Sequence, residues 1–322
     1  MLKKNKKIIY YWASNEENNN GEGFLAKNYL IFIKKNFKNY KLQPINNFNY
    51  SDQNTLFYKY LVPLIGALIL WKYYIKNQKI SYINYLPAWN IILILLLPPK
   101  TIIGPVSGSV NRDKFNLLIL ILSYLGIKIL KYKYKKIIFS HDLLRKITDK
   151  NNDDFYFNFL LYKFKLERKT AKKKFDFIFY LREHSNKRNT FSINLIKNLS
   201  KKFKICIIGK NFIKRKNIYN QGYVTRNKAL KLIAKSRFAV SGYENLYSYF
   251  MLDCLSNRLI IFYNKNFIIN KNLIKTNLLI PIDYNNLDIT KNIILKNINK
   301  KIPKKVNIKN LNFNDFFDNK TS

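Results

Sequence analysis

The carboxylate of Glu244 is the group in this sequence whose placement says most about chemistry, because the chain contains few glutamates. The apolar run from Phe238 to Ser241 predicts a strand, and Glu244 follows it in a loop that leads into a helix. In open parallel sheets, ligands bind beyond the carboxyl ends of the strands. Helix N-termini at that edge offer N–H groups to anions, and a carboxylate there can accept hydrogen bonds from hydroxyl groups. We therefore predict that Glu244 binds a ligand.

The segments around Glu244 alternate as strand, helix, strand, helix and strand, which is one half of a Rossmann-like domain. Residues 222–224 predict the end of a strand, and Thr225 predicts the N-cap of the helix that follows. A second helix is expected after Glu244. Residues 259–263 then form a continuous apolar run, which is typical of a buried parallel strand.

A basic loop follows an earlier predicted strand, residues 175–180. It contains Arg182 and, five residues later, Lys187. Fixed cations in such a loop can bind phosphate, but in so basic a chain the pair can equally be a solvated surface loop. The next apolar run, Phe203 to Ile208, predicts a strand that ends at Gly209.

The order and spacing of these pieces over residues 175–265 resemble the donor-sugar half of the two-Rossmann (GT-B) glycosyltransferases, especially the retaining family 4 that includes lipopolysaccharide and capsule enzymes. The matching positions are Arg182, Lys187, Gly209, Gly222-Tyr223-Val224, Ser241, Glu244, Asp253 and Leu259-Ile260-Ile261. The chain departs from the family at one point. The family usually has two glutamates eight residues apart, whereas Asp253 follows Glu244 by nine, with Leu252 at the expected position. If the additional residue lies in the loop near Asn245, the helix face is kept; within the helix it would turn the carboxylate by about 100°.

The resemblance implies a hexosyltransferase that uses a nucleoside-diphosphate sugar and needs no cofactor. It implies that Glu244 holds donor-sugar hydroxyls, Asp253 the ribose diol, and Arg182 with Lys187 the diphosphate. The other residues that it places in the donor site are Gly209, Ser241, Gly242 and Asn245. The acceptor would be a saccharide or a lipid-linked glycan in cell-surface glycan synthesis. Single-sheet glycosyltransferases usually carry an Asp-x-Asp triplet for a metal ion; its absence here favours a metal-independent enzyme.

The N-terminal half also alternates between predicted strands and helices, so we expect an α/β fold of two Rossmann-like domains, residues 1–168 and 169–322, with a cleft between them. Lys7 to Trp12 predicts the first strand. Gly21, Glu22 and Gly23 predict a loop before a helix near Phe24, and the resemblance places this loop on the acceptor side. Glu22 would meet an acceptor hydroxyl or cap the helix. His141, beside Asp142, would act as a general base or be a histidine with satisfied hydrogen bonds at a strand end.

The charge balance of 59 Lys and Arg against 18 Asp and Glu gives a formal charge of +41. Abundant Lys, Asn, Ile, Tyr and Phe beside only 9 Gly and 8 Pro are typical of AT-rich coding sequence, which explains part of this excess. The remainder indicates either an anionic partner, such as a membrane surface or phosphorylated carrier, or a lysine-coated soluble surface. A nucleic-acid-binding protein is an alternative. The aromatic residues lie mostly within apolar runs, however, and we expect no nucleic-acid partner. A third alternative is a catalytically inactive glycosyltransferase relative that acts as a scaffold.

Cys206 and Cys254 lie in apolar runs, which predicts buried, reduced thiols and a cytoplasmic protein. The apolar stretches at residues 61–71, 91–97 and 117–125 are shorter than the roughly 18 residues of a membrane span. We expect buried helices there, one of which could rest in the lipid interface. The chain is thus predicted to be peripheral on the inner membrane face.

Overall fold

The computed structural model describes most of the chain in two compact units. The described residues are 7–13, 21–45, 56–84, 86–107, 117–134, 137–140, 155–156, 162, 172–181, 189–209, 213–242, 246, 248–266, 274–300 and 307–308. Tyr156 belongs to the first unit and Tyr162 to the second. The boundary predicted between residues 168 and 169 lies outside the described residues and stays a prediction.

The first unit is an α/β structure in which all described strand pairs are parallel. Its sheets have the orders β2-β1-β3-β5 and β4-β6-β7-β8. Its elements are β1 Lys7–Trp12, α1 Gly21–Asn36, β2 Tyr40–Pro44, α2 Leu56–Ile75, β3 Lys79–Tyr82, β4 Leu86–Pro87, α3 Ile91–Leu96, β5 Ile102–Ile103, β6 Val106–Ser107, α4 Leu117–Lys133, β7 Ile138–Phe139 and β8 Phe155–Tyr156.

Two local predictions in this unit are wrong. Gly21, Glu22 and Gly23 do not form a loop, because helix α1 already begins at Gly21. Burial of Tyr29, Phe32 and other apolar side chains of α1 outweighs the cost of about 1 kcal/mol for each glycine in a helix. The sequence from Thr101 to Val106 predicts a single strand, but the structure divides it into β5 and β6, with Gly104-Pro105 between them. Proline cannot donate a hydrogen bond to a strand ladder, which explains the division.

The second unit contains one six-stranded parallel sheet in the order β11-β10-β9-β12-β13-β15. Numbered from β9, this is the order 3-2-1-4-5-6 of the Rossmann fold. Its elements are β9 Phe175–Leu181, α5 Asn189–Leu199, β10 Ile205–Gly209, β11 Ile218–Asn220, α6 Arg226–Ala234, β12 Ser236–Val240, α7 Tyr249–Ser256, β13 Ile260–Asn264, β14 Ile274–Lys275, β15 Leu279–Ile282, α8 Leu287–Asn297 and β16 Asn307–Ile308. Strands β14 and β16 form a separate antiparallel pair.

Three phenylalanines on neighbouring strands hold the centre of this sheet. The ring centroid of Phe177 lies 5.2 Å from that of Phe238, and Phe238 lies 5.8 Å from Phe262. All three side chains are buried. Aromatic contacts of this kind contribute about 0.5–1.5 kcal/mol each beyond the burial of their area. The strands whose ends define the candidate site, β9 and β12, are therefore rigidly paired.

In the second unit, helices α6 and α7 each begin directly after a residue whose side chain caps the helix. Thr225 is the N-cap of α6 as predicted, and its side chain accepts a hydrogen bond from the N–H of Lys228. Ser248 caps α7 in the same way. The strand predicted to end at residues 222–224 ends earlier, at Asn220. Gly222 has a φ of +63°, a left-handed conformation that a strand does not contain.

Both cysteines are free and buried, as predicted. Burial raises the pKa of the Cys206 thiol to about 12. Burial, and secondarily the nearby Asp253 carboxylate, raises the pKa of Cys254 well above its usual range.

Because the thiolate is the reactive form, we expect neither native cysteine to react with dithionitrobenzoate at pH 8. Both should react once guanidinium chloride unfolds the chain, and absorbance at 412 nm counts them. An Ile289→Cys variant is the control, because Ile289 is exposed and its thiol should react at once. Rapid labelling of the native wild-type protein would contradict the burial of these thiols.

No described helix combines the length and the apolar character that crossing a bilayer requires.

Candidate functional site

The second sheet has its topological switch point between β9 and β12. These strands are parallel neighbours, with Phe179 of β9 opposite Val240 of β12. From β9 the chain continues to β10 on one side, and from β12 it continues to β13 on the other. In such sheets the diverging loops leave a crevice at the carboxyl edge, where ligands bind.

Along the chain, each of these two strands is followed by a charged residue that the sequence predicts to bind a ligand. Arg182 comes directly after Leu181, the last residue of β9, and Glu244 comes four residues after Val240, the last residue of β12. The side chains of Arg182, Lys187, Glu244, Asn245 and His141 all lie outside the described residues. Their roles therefore stay predictions. The same holds for the side chain of Glu22, and the acceptor-side roles of Gly21, Glu22 and Gly23 also stay predictions.

Gly209 ends β10 beside the end of β9. Its φ of +114° is in the range that favours glycine, and a Cβ at this position would lie 1.9 Å from the carbonyl oxygen of Leu181. Its N–H donates to the carbonyl of Gly222 over 2.9 Å. The absence of a side chain thus allows the carboxyl ends of β9 and β10 to approach each other.

Ser241 and Gly242 leave β12 at the same edge. Ser241 is buried, and its N–H donates to the carbonyl of Phe262 over 2.9 Å. The hydroxyl of Tyr284 donates to the carbonyl oxygen of Ser241, and the two hydroxyl oxygens lie 3.3 Å apart. Gly242 is exposed, and a Cβ there would meet no atom within 4 Å. Hydrogen bonds therefore hold the backbone at Ser241, whereas Gly242, two residues before Glu244, is exposed to solvent.

An aromatic pair supports the Ser241 backbone. The ring of Phe191, in the first turn of α5, stacks on Tyr284 with centroids 4.5 Å apart. Tyr284 follows β15, and burial raises its pKa far above the usual tyrosine value, so it stays a neutral hydrogen-bond donor. Sequence reasoning missed both residues, although an aromatic residue two positions after the largely apolar residues 278–282 is a usable signal.

Asp253 lies on α7 with its side chain only 6% exposed. Its Oδ1 accepts a hydrogen bond from the Tyr162 hydroxyl at 2.8 Å and from Nη2 of Arg226 at 3.1 Å. The hydrogen bond to Asp253 is the main cause that raises the pKa of Arg226. Burial, with a smaller contribution from the Asp253 carboxylate, raises the pKa of Tyr162. Arg226 thus stays a cation and Tyr162 a neutral hydroxyl throughout the physiological pH range, and both contact Asp253.

Sequence reasoning also missed Arg226 and Tyr162. Arg226 is the first residue of α6, where the helix dipole disfavours a cation, so an arginine there indicates an anionic partner elsewhere. The guanidinium carbon also lies 5.9 Å from the ring centre of Tyr249. Tyr162 is far from Asp253 in sequence, and no local pattern signals the contact. Across the described part of the chain, no group of His, Cys, Asp and Glu side chains could hold a metal ion.

Neither a protein-family model nor a curated protein matches this chain by sequence. Solved structures do match. A sucrose-phosphate synthase from Thermosynechococcus elongatus aligns with a TM-score of 0.57 at 8% identity, covering 92% of this chain and 90% of that one. The UDP-GlcNAc 2-epimerase of Methanocaldococcus jannaschii, solved with UDP-GlcNAc and UDP, aligns with a TM-score of 0.52 at 10% identity, covering 96% of both chains. These are GT-B proteins, so the predicted α/β fold of two Rossmann-like domains is confirmed.

Proposed function

We propose that this protein is a glycosyltransferase that moves a sugar from a nucleoside-diphosphate sugar to a saccharide or lipid-linked acceptor. The observation that carries the proposal is the switch point of the second sheet. Along the chain, the two strands that flank it are followed by the basic segment that contains Arg182 and by the segment that contains Glu244. The fold supports the proposal too, because the epimerase with the same architecture was solved with UDP-GlcNAc and UDP.

In this proposal, Arg182 and Lys187 bind the diphosphate of the donor, and Glu244 binds its sugar. A nucleoside diphosphate leaves with growing negative charge, which the fixed cations Arg182 and Lys187 stabilise. Glu244 accepts hydrogen bonds from hydroxyls of the donor sugar and so aligns the reacting carbon. Asn245 and the Ser241-Gly242 backbone complete that side of the site.

Asp253 binds the ribose diol in this proposal. Its Oδ1 already accepts hydrogen bonds from Tyr162 and Arg226, so the ribose hydroxyls would bind at Oδ2. The ion pair with Arg226 fixes the orientation of this carboxylate. Gly209 contributes to this site by leaving room for the Leu181 backbone, so that the carboxyl ends of β9 and β10 lie close together.

We further propose that the acceptor belongs to cell-surface glycan synthesis on the cytoplasmic side of the membrane. The charge of +41 suits a phosphorylated lipid carrier, and two free thiols suit a reducing compartment. Family 4 membership belongs to the same proposal and rests on the residue pattern of 175–265.

Thermal denaturation with a panel of nucleotide sugars tests the proposal. A ligand at 100 times its Kd stabilises the folded state by about 2.7 kcal/mol. We expect one nucleoside-diphosphate sugar, with its free diphosphate, to raise Tm while the free sugar does not. No shift with any donor, together with salt-sensitive binding to RNA or DNA, would favour the nucleic-acid alternative. Donor binding without turnover on any acceptor would favour the inactive scaffold.

Arg182→Ala should lower the rate of transfer by roughly 30- to 1000-fold, because a charge-assisted bond to the leaving diphosphate contributes about 2–4 kcal/mol in the transition state. Steady-state release of nucleoside diphosphate measures the effect. The matched control is Arg215→Ala, which removes an exposed arginine elsewhere in the same unit and should leave the rate unchanged. Equal rates in Arg182→Ala and the control would place the diphosphate elsewhere.

Transfer should continue at the same rate in excess EDTA, because the proposed mechanism assigns the leaving-group charge to Arg182 and Lys187 and not to a divalent ion. The same diphosphate-release assay checks this expectation. A rate that falls in EDTA and returns on adding Mg²⁺ or Mn²⁺ would show that the reaction requires a metal.

A further inference from the structure

Helix α4 of the first unit carries large apolar side chains on its exposed face. Leu117, Leu118, Ile121, Tyr124 and Leu125 are all exposed; we call them the α4 stripe. At 100° per residue, these five positions fall within an arc of about 120°. The buried residues of the helix lie on the opposite side and are Ser123, Gly126, Ile127 and Leu130. Helix α4 is therefore apolar on two faces, only one of which packs inside the unit.

The helix is held firmly in this orientation. A Cβ on Gly126 would lie 1.9 Å from the carbonyl oxygen of Ala88, so the buried face approaches that backbone closely. At its last turn, the Nζ of Lys133 donates to the carbonyls of Ile94, Leu95 and Leu97 at 2.9 Å each. The adjoining helix α3 exposes Ile92 and Leu95 as well. A soluble monomer rarely exposes a large group of neighbouring apolar side chains. The exposed side chains of α3 and α4 therefore mark a surface that binds a partner.

The charges next to the stripe indicate the chemistry of that partner. The same arc continues into Lys128, whose Nζ lies 4.6 Å from the ring centre of Tyr124, and into the exposed Tyr132. From Leu56 to Ser140 the only acidic residue in the sequence is Asp113. An apolar stripe that continues into lysine and tyrosine matches the boundary between lipid tails and anionic headgroups. A twofold contact with a second copy would instead oppose two basic surfaces.

We propose that the α4 stripe docks on an anionic lipid bilayer, with α4 lying in the plane of the interface over a length of about 25 Å. The apolar side chains enter the boundary of the acyl chains, and Lys128 and Tyr132 stay at the headgroups. This inference does not depend on the proposed transferase activity. Together the two would bring a donor site and a lipid-linked acceptor to the same membrane.

Vesicle flotation with the full chain tests the proposal. Wild-type protein should float with vesicles of phosphatidylglycerol and phosphatidylcholine, and at least tenfold less with pure phosphatidylcholine. The double variant Ile121→Asp, Leu125→Asp should lower the partition coefficient on anionic vesicles at least tenfold. Ile289→Asp is the matched control, because Ile289 on α8 is 48% exposed, as Ile121 is, and lies in the other unit; it should bind within twofold of wild type. A double variant that binds like wild type, or a wild type that ignores anionic vesicles, overturns the proposal.

A second readout follows the stripe without introducing charge. Leu118→Cys, labelled with an environment-sensitive NBD dye, should shift to shorter emission wavelength on anionic vesicles, whereas labelled Ile289→Cys should not. The native thiols are buried and do not compete for the label. Sedimentation velocity in lipid-free buffer addresses the rival partner. A wild-type dimer that Ile121→Asp converts to monomer would assign the stripe to a second copy and overturn the proposal, and a wild-type monomer supports it.

Discussion

Glu244→Gln is expected to lower the rate of sugar transfer by at least about 100-fold while leaving the fold and the donor affinity nearly unchanged. The amide has almost the same shape but no charge, so it holds the donor hydroxyls less strongly as charge develops at the reacting carbon. Removing a single electrostatic contact of this kind typically costs about 10²–10³ in kcat. Because the contact strengthens in the transition state, turnover should fall more than donor binding weakens.

The measurement is steady-state kinetics with the identified donor and acceptor, beside donor titration by calorimetry. Asp288→Asn is the control, a carboxylate-to-amide change in the first turn of α8. It should leave kcat unchanged. If Glu244→Gln turns over at a rate near that of wild type, the site assignment is wrong and the resemblance around residues 241–253 is only architectural.

Gly209→Ala is expected to destabilise the protein by about 3 kcal/mol or more. The methyl group would have to occupy space 1.9 Å from the backbone oxygen of Leu181, and the φ of +114° is strained for any residue with a side chain. Backbone cannot rotate away as a side chain can, so the ends of β9 and β10 must separate. This separation would also displace Leu181, the residue that precedes Arg182.

Urea unfolding followed by circular dichroism measures the loss. Gly242→Ala is the matched control, because it adds the same methyl group at an exposed position with no atom within 4 Å. It should change the free energy of unfolding by no more than about 0.5 kcal/mol. Equal stability of the two variants would mean that the strand ends do not need the glycine.

Much of the second unit could be predicted from the sequence because its strands are continuous apolar runs separated by capped helices. The run Phe175 to Tyr180 became β9, and Leu259 to Tyr263 became β13 shifted by one residue. Thr225 marked its helix correctly because an N-cap is a local interaction within four residues. The order of the strands in the sheet was not predicted, because no local motif determines which strands pair.

Contacts between residues that are far apart in the sequence could not be predicted from local patterns. Nothing local in the sequence joins Tyr162 to Asp253 or Tyr284 to Ser241, since each pair meets only when the sheet and its helices have packed.

Helix α4 shows a different limit of prediction from the sequence. Its apolar residues predict a helix, but a helix that is apolar all round does not indicate which face the protein buries. The prediction that residues 117–125 are buried was therefore wrong for the face that carries Leu118 and Leu125.

Formation of a glycosylated product decides whether this protein is a glycosyltransferase. The wild-type protein would be incubated with the nucleotide sugar that stabilises it most and with a mixture of saccharide and lipid-linked acceptors, and mass spectrometry would follow both product and nucleoside diphosphate. We expect one acceptor to gain one sugar for each nucleoside diphosphate released, and both signals to be lost in Glu244→Gln. A donor that binds but yields no product with any acceptor, or product formation that persists in Glu244→Gln, would contradict this expectation.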